Sequence, residues 1–335
     1  MAPTIRDVAR AAGVSPATVS RALSMPELVR PPTRARVETA ARRLGYHPNR
    51  AARGLITGRT GNLGLIVPDL SNPFFASVVK GVQAAARAAD HSVFIADTDE
   101  VADAEIDLMR ALAKQVDGLI LCSPRAPDAE LAAVGADSTV VLMNRRVGER
   151  PSVIVDNADG MRQALDHLAA LGHERVAYVA GPRTSWSNDQ RERGLRAAAA
   201  AGGTELVHVG HFPPQFEGGV AAADLVLASG ATAVIAYNDV VALGLLSRLG
   251  ARGVGVPDGL SVVGCDDIGM SAMSQPALTT VSVPKRSAGR ATVGLLLSML
   301  GPGGEPGPVH RELPTQLIVR GSTAVAPAPT KGSSR

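Results

Sequence analysis

The stretch GVSPATVSRAL, Gly13 to Leu23, decides how the N-terminal part of the chain folds. Gly13 suits the left-handed turn that ends a helix, and Ser15 followed by Pro16 is typical of the start of the next one. Val19 and Leu23 are four residues apart, so they share one face of that helix, which we expect to point inward. The opposite face carries Ala17, Ser20 and Arg21.

A first helix is predicted immediately before this stretch. Apolar residues at Ile5, Val8, Ala9 and Ala12 follow a helical spacing, and Thr4 with Asp7 forms a capping-box-like pair at its start. Two short helices joined by a tight glycine turn make a helix-turn-helix. A third helix is expected after it, with Thr33 as N-cap and Gly45 as its stop. Its inward residues are Val37, Ala40, Ala41 and Leu44.

Charge is divided unevenly along the 335 residues. The net charge is +3, but the first 60 residues hold 11 arginines, no lysine and three acidic residues, which gives +8 there and −5 in the remainder. A small basic head on a mildly acidic body favours a polyanionic partner for the head. The alternative is a solvated basic face without a partner.

The helix-turn-helix geometry assigns a function to the second helix. We expect its N-terminal residues to enter the major groove of DNA, where Arg21 can form two hydrogen bonds to guanine and Ala17 can contact a thymine methyl group. The helix N-terminus and nearby hydroxyls suit phosphate oxygens. The remaining predicted contacts of the head are Thr4, Ser15, Pro16, Thr18 and Ser20. A small three-helix protein–protein module is the alternative.

The segment HPNRAARGLITGRT, residues 47–60, predicts a short hinge helix that is marginal alone in water. Asn49 helps to start it, Arg50 and Arg53 supply cations for phosphates, and Leu55 supplies an apolar wedge for the minor groove. A flexible linker is the alternative.

From residue 61 the pattern changes to apolar strands that alternate with helices, in two successive sets. This pattern predicts two doubly wound parallel-sheet α/β subdomains. The predicted strands are 63–67, 92–96, 118–122, 139–143 and 152–155 in the first set, and 175–180, 206–209, 233–237 and 260–265 in the second.

Polar and aromatic residues follow several of these strands, where ligands bind in such folds. Amides, carboxylates and arginines match the hydroxyl pattern of a polyol, and aromatic faces suit a sugar or base ring. The predicted effector-binding residues are Asn72, Phe74, Phe75, Asn144, Arg145, Ser187, Arg191, Phe212, Asn238 and Asp266. Asp239 and Asp267 are interpreted instead as a strand-end turn or a helix cap.

The sequence TIRDVARAAGVSPATVSRAL, followed by RRLGYHPNRAARGL, resembles the head and hinge of LacI-family transcriptional regulators. The resemblance continues to LPTQLIVRGSTA at 313–324, and it implies a periplasmic-binding-protein-like body with two lobes around a cleft. It implies that Pro16, Ala17 and Arg21 read bases and that Leu55 enters the minor groove. It further implies a near-palindromic operator, a homodimer, and effector contacts at the residues given above.

Three departures from the family pattern matter. Gly54 stands where Ser or Ala is more usual in the hinge, Asn144 where sugar sites often have Asp, and Val283 where a Gln often reaches the ligand. The last two leave room for a glycoside, a nucleoside or another polar metabolite, as inducer or as corepressor. The leucine-heptad tail of tetrameric members is missing, so a dimer is expected.

The predicted organisation is a helix-turn-helix domain at 1–47, a hinge at 48–60, an effector and dimerisation domain at 61–323, and a disordered tail at 324–335. We expect the chain to cross between the two lobes near 157, 283 and 313. Cys122 and Cys265 end apolar runs, which indicates buried core thiols.

Other classes of protein are disfavoured. No G-x-S-x-G, phosphate loop or metal-spaced His/Cys cluster is present, which argues against an enzyme, and no cofactor is expected. An exported solute binder would share the body, but it would have a signal peptide and would lack the basic head. With no apolar run long enough to span a membrane, we expect a cytoplasmic repressor without membrane contact.

Overall fold

A computed structural model describes residues 3–46, 59–134, 138–301 and 309–327. The chain divides into two compact units between Gly61 and Asn62, one residue from the expected start of the body. The first unit contains α1 (Ile5–Ala12), α2 (Pro16–Ser24), a 3₁₀ turn (Pro26–Leu28) and α3 (Pro31–Leu44).

Short-range interactions set the ends of the first two helices. The Asp7 carboxylate accepts from the Thr4 backbone N–H at 2.9 Å and from the Thr4 hydroxyl at 2.7 Å. Gly13 has φ of 63° and ends α1, while the Ser15 hydroxyl accepts from the Thr18 N–H at 3.1 Å at the start of α2. The predicted helix-turn-helix is therefore confirmed. Its buried core is Val8, Ala9, Ala12, Val19, Ala22, Val37, Ala40 and Ala41.

The predicted cap of the third helix is wrong. Helix α3 begins at Pro31 with Arg30 as N-cap, and Thr33 lies in its first turn, where its N–H donates to the Arg30 carbonyl. Proline is tolerated at the first helical positions because the N–H groups there have no intrahelical acceptor. Pro31 and Pro32 therefore extend the helix beyond the start expected from Thr33.

The first lobe of the body is a six-stranded parallel sheet with the order β11-β5-β4-β3-β1-β2. Its strands are β1 (Asn62–Val67), β2 (Ser92–Asp97), β3 (Gly118–Cys122), β4 (Val140–Met143), β5 (Ser152–Val155) and β11 (His310–Leu313). Its helices are α4 (Pro73–Ala88), α5 (Ala102–Ala113), α6 (Asp128–Val134) and α12 (Lys285–Leu300).

The second lobe repeats this plan with the strand order β12-β10-β9-β8-β6-β7. Its strands are β6 (Arg175–Ala180), β7 (Glu205–His211), β8 (Ala233–Ala236), β9 (Ser261–Asp266), β10 (Thr279–Ser282) and β12 (Gln316–Ile318). Its helices are α7 (Asn157–Ala170), α8 (Trp186–Gly202), α9 (Phe216–Ala228), α10 (Asp239–Ala251) and α11 (Gly269–Met273). The expected fold class is confirmed, apart from the β10–β12 pair, which is antiparallel.

Burial on both faces of each sheet explains the nearly continuous apolar strands. In β1, Leu63 and Leu65 pack towards α4 and α12, while Ile66 packs on the opposite face with α5. In β6, Tyr178 and Val179 divide between the two faces of the second sheet in the same way. Each sheet is therefore a layer between helices.

The chain crosses between the lobes three times. It leaves the first sheet after Val155, returns after β10 to form α12, and crosses again between Leu313 and Gln316. These positions are close to 157, 283 and 313. Strands β10, β11 and β12 were not predicted because their sequences, TTVS, HREL and QLI, lack the apolar runs that marked the other strands.

The C-terminal segment is ordered further than expected. The Ala324 N–H donates to the Ser261 hydroxyl at 3.1 Å, and the Ala326 N–H donates to the Leu171 carbonyl at 2.8 Å. These bonds tie the chain to the second lobe, so a disordered tail starting at 324 is wrong for residues 324–327. Residues 328–335 lie outside the described residues.

Both cysteines are buried in the core, as predicted. Burial raises the pKa of Cys122 and of Cys265 to about 12, which keeps both thiols protonated at neutral pH. No helix in the described ranges combines the length and the apolar character needed to cross a bilayer.

Close packing between α9 and α10 generates a stability prediction. A Cβ at Gly219 would overlap the Val241 carbonyl oxygen, and one at Gly244 would overlap the Phe216 carbonyl oxygen. We expect Gly219→Ala and Gly244→Ala each to lower the free energy of unfolding by about 1–3 kcal/mol in urea titrations. The control is Gly294→Ala in α12, whose Cβ would meet no atom within 4 Å, and which should raise stability by about 0.5–1 kcal/mol. Equal effects at all three positions would contradict this account.

Candidate functional site

The predicted reading face of the head is accessible. Ser15, Pro16, Ala17 and Arg21 are exposed on α2, whereas Thr18 and Ser20 are half-buried. The Ser15 and Thr18 hydroxyls lie 2.9 Å apart and share a hydrogen bond, so both take part in capping. The exposed face of α2 therefore presents one long polar side chain, Arg21, beside the methyl group of Ala17.

Thr4 is exposed at the start of α1, and its hydroxyl is bonded to Asp7. That hydroxyl can still accept a further hydrogen bond. The predicted hinge contacts Asn49, Arg50, Arg53 and Leu55 lie outside the described residues.

The body contains a cleft of about 310 Å³, including its open mouth, to which both lobes contribute side chains. Seven of the predicted effector residues line it. They are Asn72, Phe74, Phe75, Asn144, Arg191, Asn238 and Asp266. Six of these residues follow the carboxyl ends of strands β1, β4, β6 and β8, and Asp266 is the last residue of β9. An open parallel sheet binds ligands at this edge.

Three predicted residues lie outside the lining. Arg145 donates to the Pro124 carbonyl at 3.0 Å and to the Asp128 carboxylate at 2.7 Å. The Ser187 hydroxyl donates to the Asn144 carbonyl at 3.4 Å, and Phe212 packs against the core of the second lobe. Asn144 has φ of 55°, so the backbone turns sharply there. The side chain of the next residue, Arg145, therefore does not join Asn144 in the cleft lining. Arg145 and Ser187 therefore adjoin the lining residue Asn144, and none of the three side chains lines the cleft.

Five lining residues were missed from the sequence. They are Glu100, Ser123, Arg125, Pro214 and Tyr237. Ser123 and Arg125 follow β3, so the strand-end rule used for the other strands could have found them. Tyr237 follows β8 in the same way. Glu100 has φ of 60° in the loop after β2, and that geometry carries no clear sequence signal.

A rigid charged group forms the wall of the first lobe. The Arg125 guanidinium donates to both carboxylate oxygens of Glu100, at 2.7 and 2.9 Å, and to the Ser123 carbonyl at 2.9 Å. The Glu105 carboxylate accepts from the N–H groups of Arg125 and Ala126. Burial raises the pKa of Glu105, although these two backbone bonds oppose the rise. The bonds hold the loop after β3 in place.

Arg191 occupies the corresponding place in the second lobe. It donates to the Asn157 side-chain oxygen at 3.0 Å and to the Tyr237 carbonyl, and it lies 4.8 Å from the centre of the Tyr237 ring. The Asp266 carboxylate is 3.6 Å from its guanidinium. Burial raises the pKa of Asp266 to about 7, while Arg191 acts to lower it. Near neutral pH the Asp266 carboxyl can therefore be protonated, in which case it both donates and accepts hydrogen bonds, or ionised, in which case it only accepts them.

A chain of amides links the two walls. The Asn157 amide donates to the Asn144 side-chain oxygen at 3.4 Å, and the Asn144 amide donates to the Ser123 hydroxyl at 3.0 Å. Together with the Arg191–Asn157 bond, this chain runs from the second lobe through the first crossing to the first lobe. A ligand that bonds to its members can alter how the lobes are held.

Asp239 and Asp267, the two acidic residues interpreted as a strand-end turn or a helix cap, both accept hydrogen bonds from other parts of the body. The Asp239 carboxylate is buried and accepts from the Thr280 and Ser271 hydroxyls and from the Ile268 N–H. Asp267 accepts from the Arg320 guanidinium at 2.6 Å. Neither residue lines the cleft.

The raised pKa of Asp266 predicts how stability depends on pH. The unfolded carboxyl ionises near 3.8, whereas the folded one keeps its proton up to about pH 7. Stability of the wild-type protein relative to Asp266→Asn should therefore fall between about pH 4 and pH 7 and then level off, by at most about 1.4 kcal/mol per pH unit. Urea unfolding of both proteins from pH 5 to pH 8 measures this difference. Parallel pH profiles for the two proteins would show that burial of Asp266 does not control its ionisation.

Comparison with known proteins identifies a related domain in each of the two units. The profile of bacterial regulatory proteins of the lacI family matches residues 4–49, and that of the periplasmic binding protein-like domain matches residues 165–323. The HTH-type transcriptional repressor CytR of Escherichia coli strain K12 is 35% identical over 338 residues, which cover 97% of this chain and 98% of CytR.

Solved structures also resemble the chain. The lac repressor dimer bound to operator and the anti-inducer ONPF is 29% identical, with a TM-score of 0.85 over 97% of this chain and 100% of that one. A regulator from Enterococcus faecium with bound ribose is 27% identical, with a TM-score of 0.70 over 79% of this chain and 100% of its own. Since CytR matches nearly the whole chain at this identity, and both domain profiles match in order, the protein belongs to the LacI family of transcriptional regulators.

Proposed function

We propose that this regulator is a repressor whose affinity for a near-palindromic operator is controlled by a sugar or sugar derivative bound in the cleft. The observation that carries the proposal is the combination of an exposed reading helix in the head with a polar cleft in the body. We further propose that it acts in the cytoplasm as a homodimer, without catalysis. The similar lac repressor structure is a dimer on operator DNA.

The head recognises DNA through α2 in the major groove. Arg21 is assigned to a guanine and Ala17 to a thymine methyl group, while the N-terminus of α2 and its hydroxyls hold phosphates. Leu55 is assigned to the minor groove at the operator centre, with Arg50 and Arg53 on adjacent phosphates.

The chemistry of the cleft favours a polyhydroxylated ligand. Asp266 and Arg191 offer an acceptor and a donor that lie 3.6 Å apart, a spacing that suits two neighbouring hydroxyls of a sugar ring. Phe74 and Phe75 meet edge to face, with ring centres 5.0 Å apart, and supply apolar surface beside the amides. A ring with polar edges and an apolar face fits this lining.

A nucleoside or another metabolite acting as corepressor is the second candidate. Asn144 replaces a carboxylate that is common in sugar sites, and its amide is already bonded to Ser123. The same Asp266 and Arg191 can bind the ribose of a nucleoside, and the aromatic pair can then contact a base.

Effector control requires a difference in affinity between two states of the lobes. The effector changes operator binding only by the factor by which it prefers one state to the other. The amide chain from Arg191 to Ser123 differs between two such states when the lobes rotate. Induction and corepression differ only in which state binds the operator.

The role of Arg21 is tested with two variants. We expect Arg21→Ala to weaken binding to the preferred operator by about tenfold to a hundredfold and to flatten the preference at one base pair in each half-site. Arg21→Lys is the matched control, since it retains the positive charge but loses the paired donors. Selection from randomised DNA followed by titration measures both effects. A lysine variant with wild-type sequence preference would show that Arg21 contacts only phosphates.

The effector class is tested by a thermal-shift screen of free sugars, glycosides and nucleosides. A ligand of the folded state raises the melting temperature by mass action. For the strongest hit, we expect Asp266→Asn and Arg191→Met each to reduce effector binding at least tenfold. Because Arg191 is buried, urea unfolding checks that each variant still folds. Asp267→Asn is the control, because Asp267 lies outside the cleft lining and is bonded to Arg320. Binding that survives both cleft variants would move the effector site elsewhere.

A further inference from the structure

A group of three side chains outside the cleft has the composition of a metal site. Glu192 of α8 and His208 and His211 of β7 place one ligand atom each within 4.8 Å of one another. From the Glu192 Oε1 atom, the His208 Nε2 atom is 3.3 Å away and the His211 Nε2 atom is 3.9 Å away. Tetrahedral zinc with bonds of about 2.0–2.2 Å separates its ligand atoms by about 3.4 Å.

A β-bulge brings the two histidines together. Residues three apart on a regular strand point to opposite faces of the sheet. Here the pairing of β6 with β7 shifts between Tyr178, opposite His208, and Val179, opposite Gly210. Gly210 has φ of 148°, a conformation that favours glycine. The extra residue turns His208 and His211 towards the same side, with ring centres 4.9 Å apart.

The hydrogen bonds around the group set the protonated nitrogen of His211 and hold the Glu192 carboxylate in position. The His211 Nδ1 atom is 2.8 Å from the Gly181 carbonyl oxygen, which can only accept, so Nδ1 carries the proton and the Nε2 lone pair of the neutral ring stays available. The Asn188 amide donates to Glu192 at 2.8 Å, and Arg196 pairs with its other oxygen at 2.8 Å. Such outer bonds typically fix and tune metal ligands.

The group is also reachable from solvent. The side chains of His208, His211 and Glu192 are 34%, 17% and 12% exposed. Strand β7 is the edge of its sheet, so no further strand covers it within the described part of the chain. A hydrated ion can therefore enter and keep a water molecule as its fourth ligand.

We propose that Glu192, His208 and His211 bind one divalent transition-metal ion, Zn²⁺ or Co²⁺, on the outer edge of the second lobe. Two imidazoles and a carboxylate favour these ions over Mg²⁺ or Ca²⁺, which prefer all-oxygen ligands. None of the three proposed ligands lines the proposed effector cleft.

The test uses the untagged full-length protein after removal of metal with a chelator. Titration calorimetry with ZnCl₂ should show one equivalent bound and a raised melting temperature, and Co²⁺ should show visible absorption typical of tetrahedral coordination. We expect His208→Gln, His211→Gln and Glu192→Gln each to weaken Zn²⁺ binding at least tenfold.

The matched control is His91→Gln. The His91 Nδ1 atom also lies close to a backbone carbonyl, that of Ala89 at 2.7 Å, but His91 is not part of the cluster. Its variant should bind Zn²⁺ as the wild type does. His208 is the most exposed of the three ligands, so its variant is the one best able to fold normally, which circular dichroism checks. Absence of Zn²⁺ binding by the wild type, unchanged binding by all three ligand variants, or an equal loss in His91→Gln would each overturn the proposal.

Discussion

The body of this regulator is organised around a buried positive charge, the guanidinium of Arg191. A charge removed from water must be paired and hydrogen-bonded, and removing one partner of such a group costs about 3–5 kcal/mol. The partners of Arg191 come from three separate places: Asn157 at the first crossing, Tyr237 after β8, and Asp266 at the end of β9. The crossing segment and two strand ends must therefore meet at one point.

This requirement connects stability with regulation. The hydrogen bonds of Arg191 continue through Asn157 and Asn144 to Ser123 in the first lobe. The bond between the two asparagines is 3.4 Å long, close to the limit for a hydrogen bond, so rotation of the lobes can break it at small cost. An effector that offers hydroxyls to Arg191 and Asp266 competes with these internal partners. In the proposed function, binding and lobe movement are therefore coupled through shared donors and acceptors.

Sequence patterns predicted the elements better than the directions of side chains. The strand-end rule selected Asn72, Asn238 and Asp266, and these side chains line the cleft because the backbone alone fixes where parallel strands end. They did not locate Arg145, whose direction depends on the left-handed turn at Asn144 and on acceptors distant in sequence. Strands β11 and β12 and the bonds that hold residues 324–327 also depend on partners more than 30 residues away. Non-local contacts of this kind leave little trace in local periodicity.

The reading helix limits how the head can recognise DNA. Pro16 has no donor, Ala17 has no polar group, and the hydroxyls of Ser15 and Thr18 bond to each other. Arg21 is therefore the one long polar side chain that the exposed face of α2 offers for the proposed contact with bases. The single bidentate contact proposed for each half-site would discriminate by about 1–3 kcal/mol, which is less than the 4–10 kcal/mol that separates specific from non-specific binding. The remainder must come from the paired half-sites and from the deformability of the operator centre, where the energy of bending selects sequence without contact to bases.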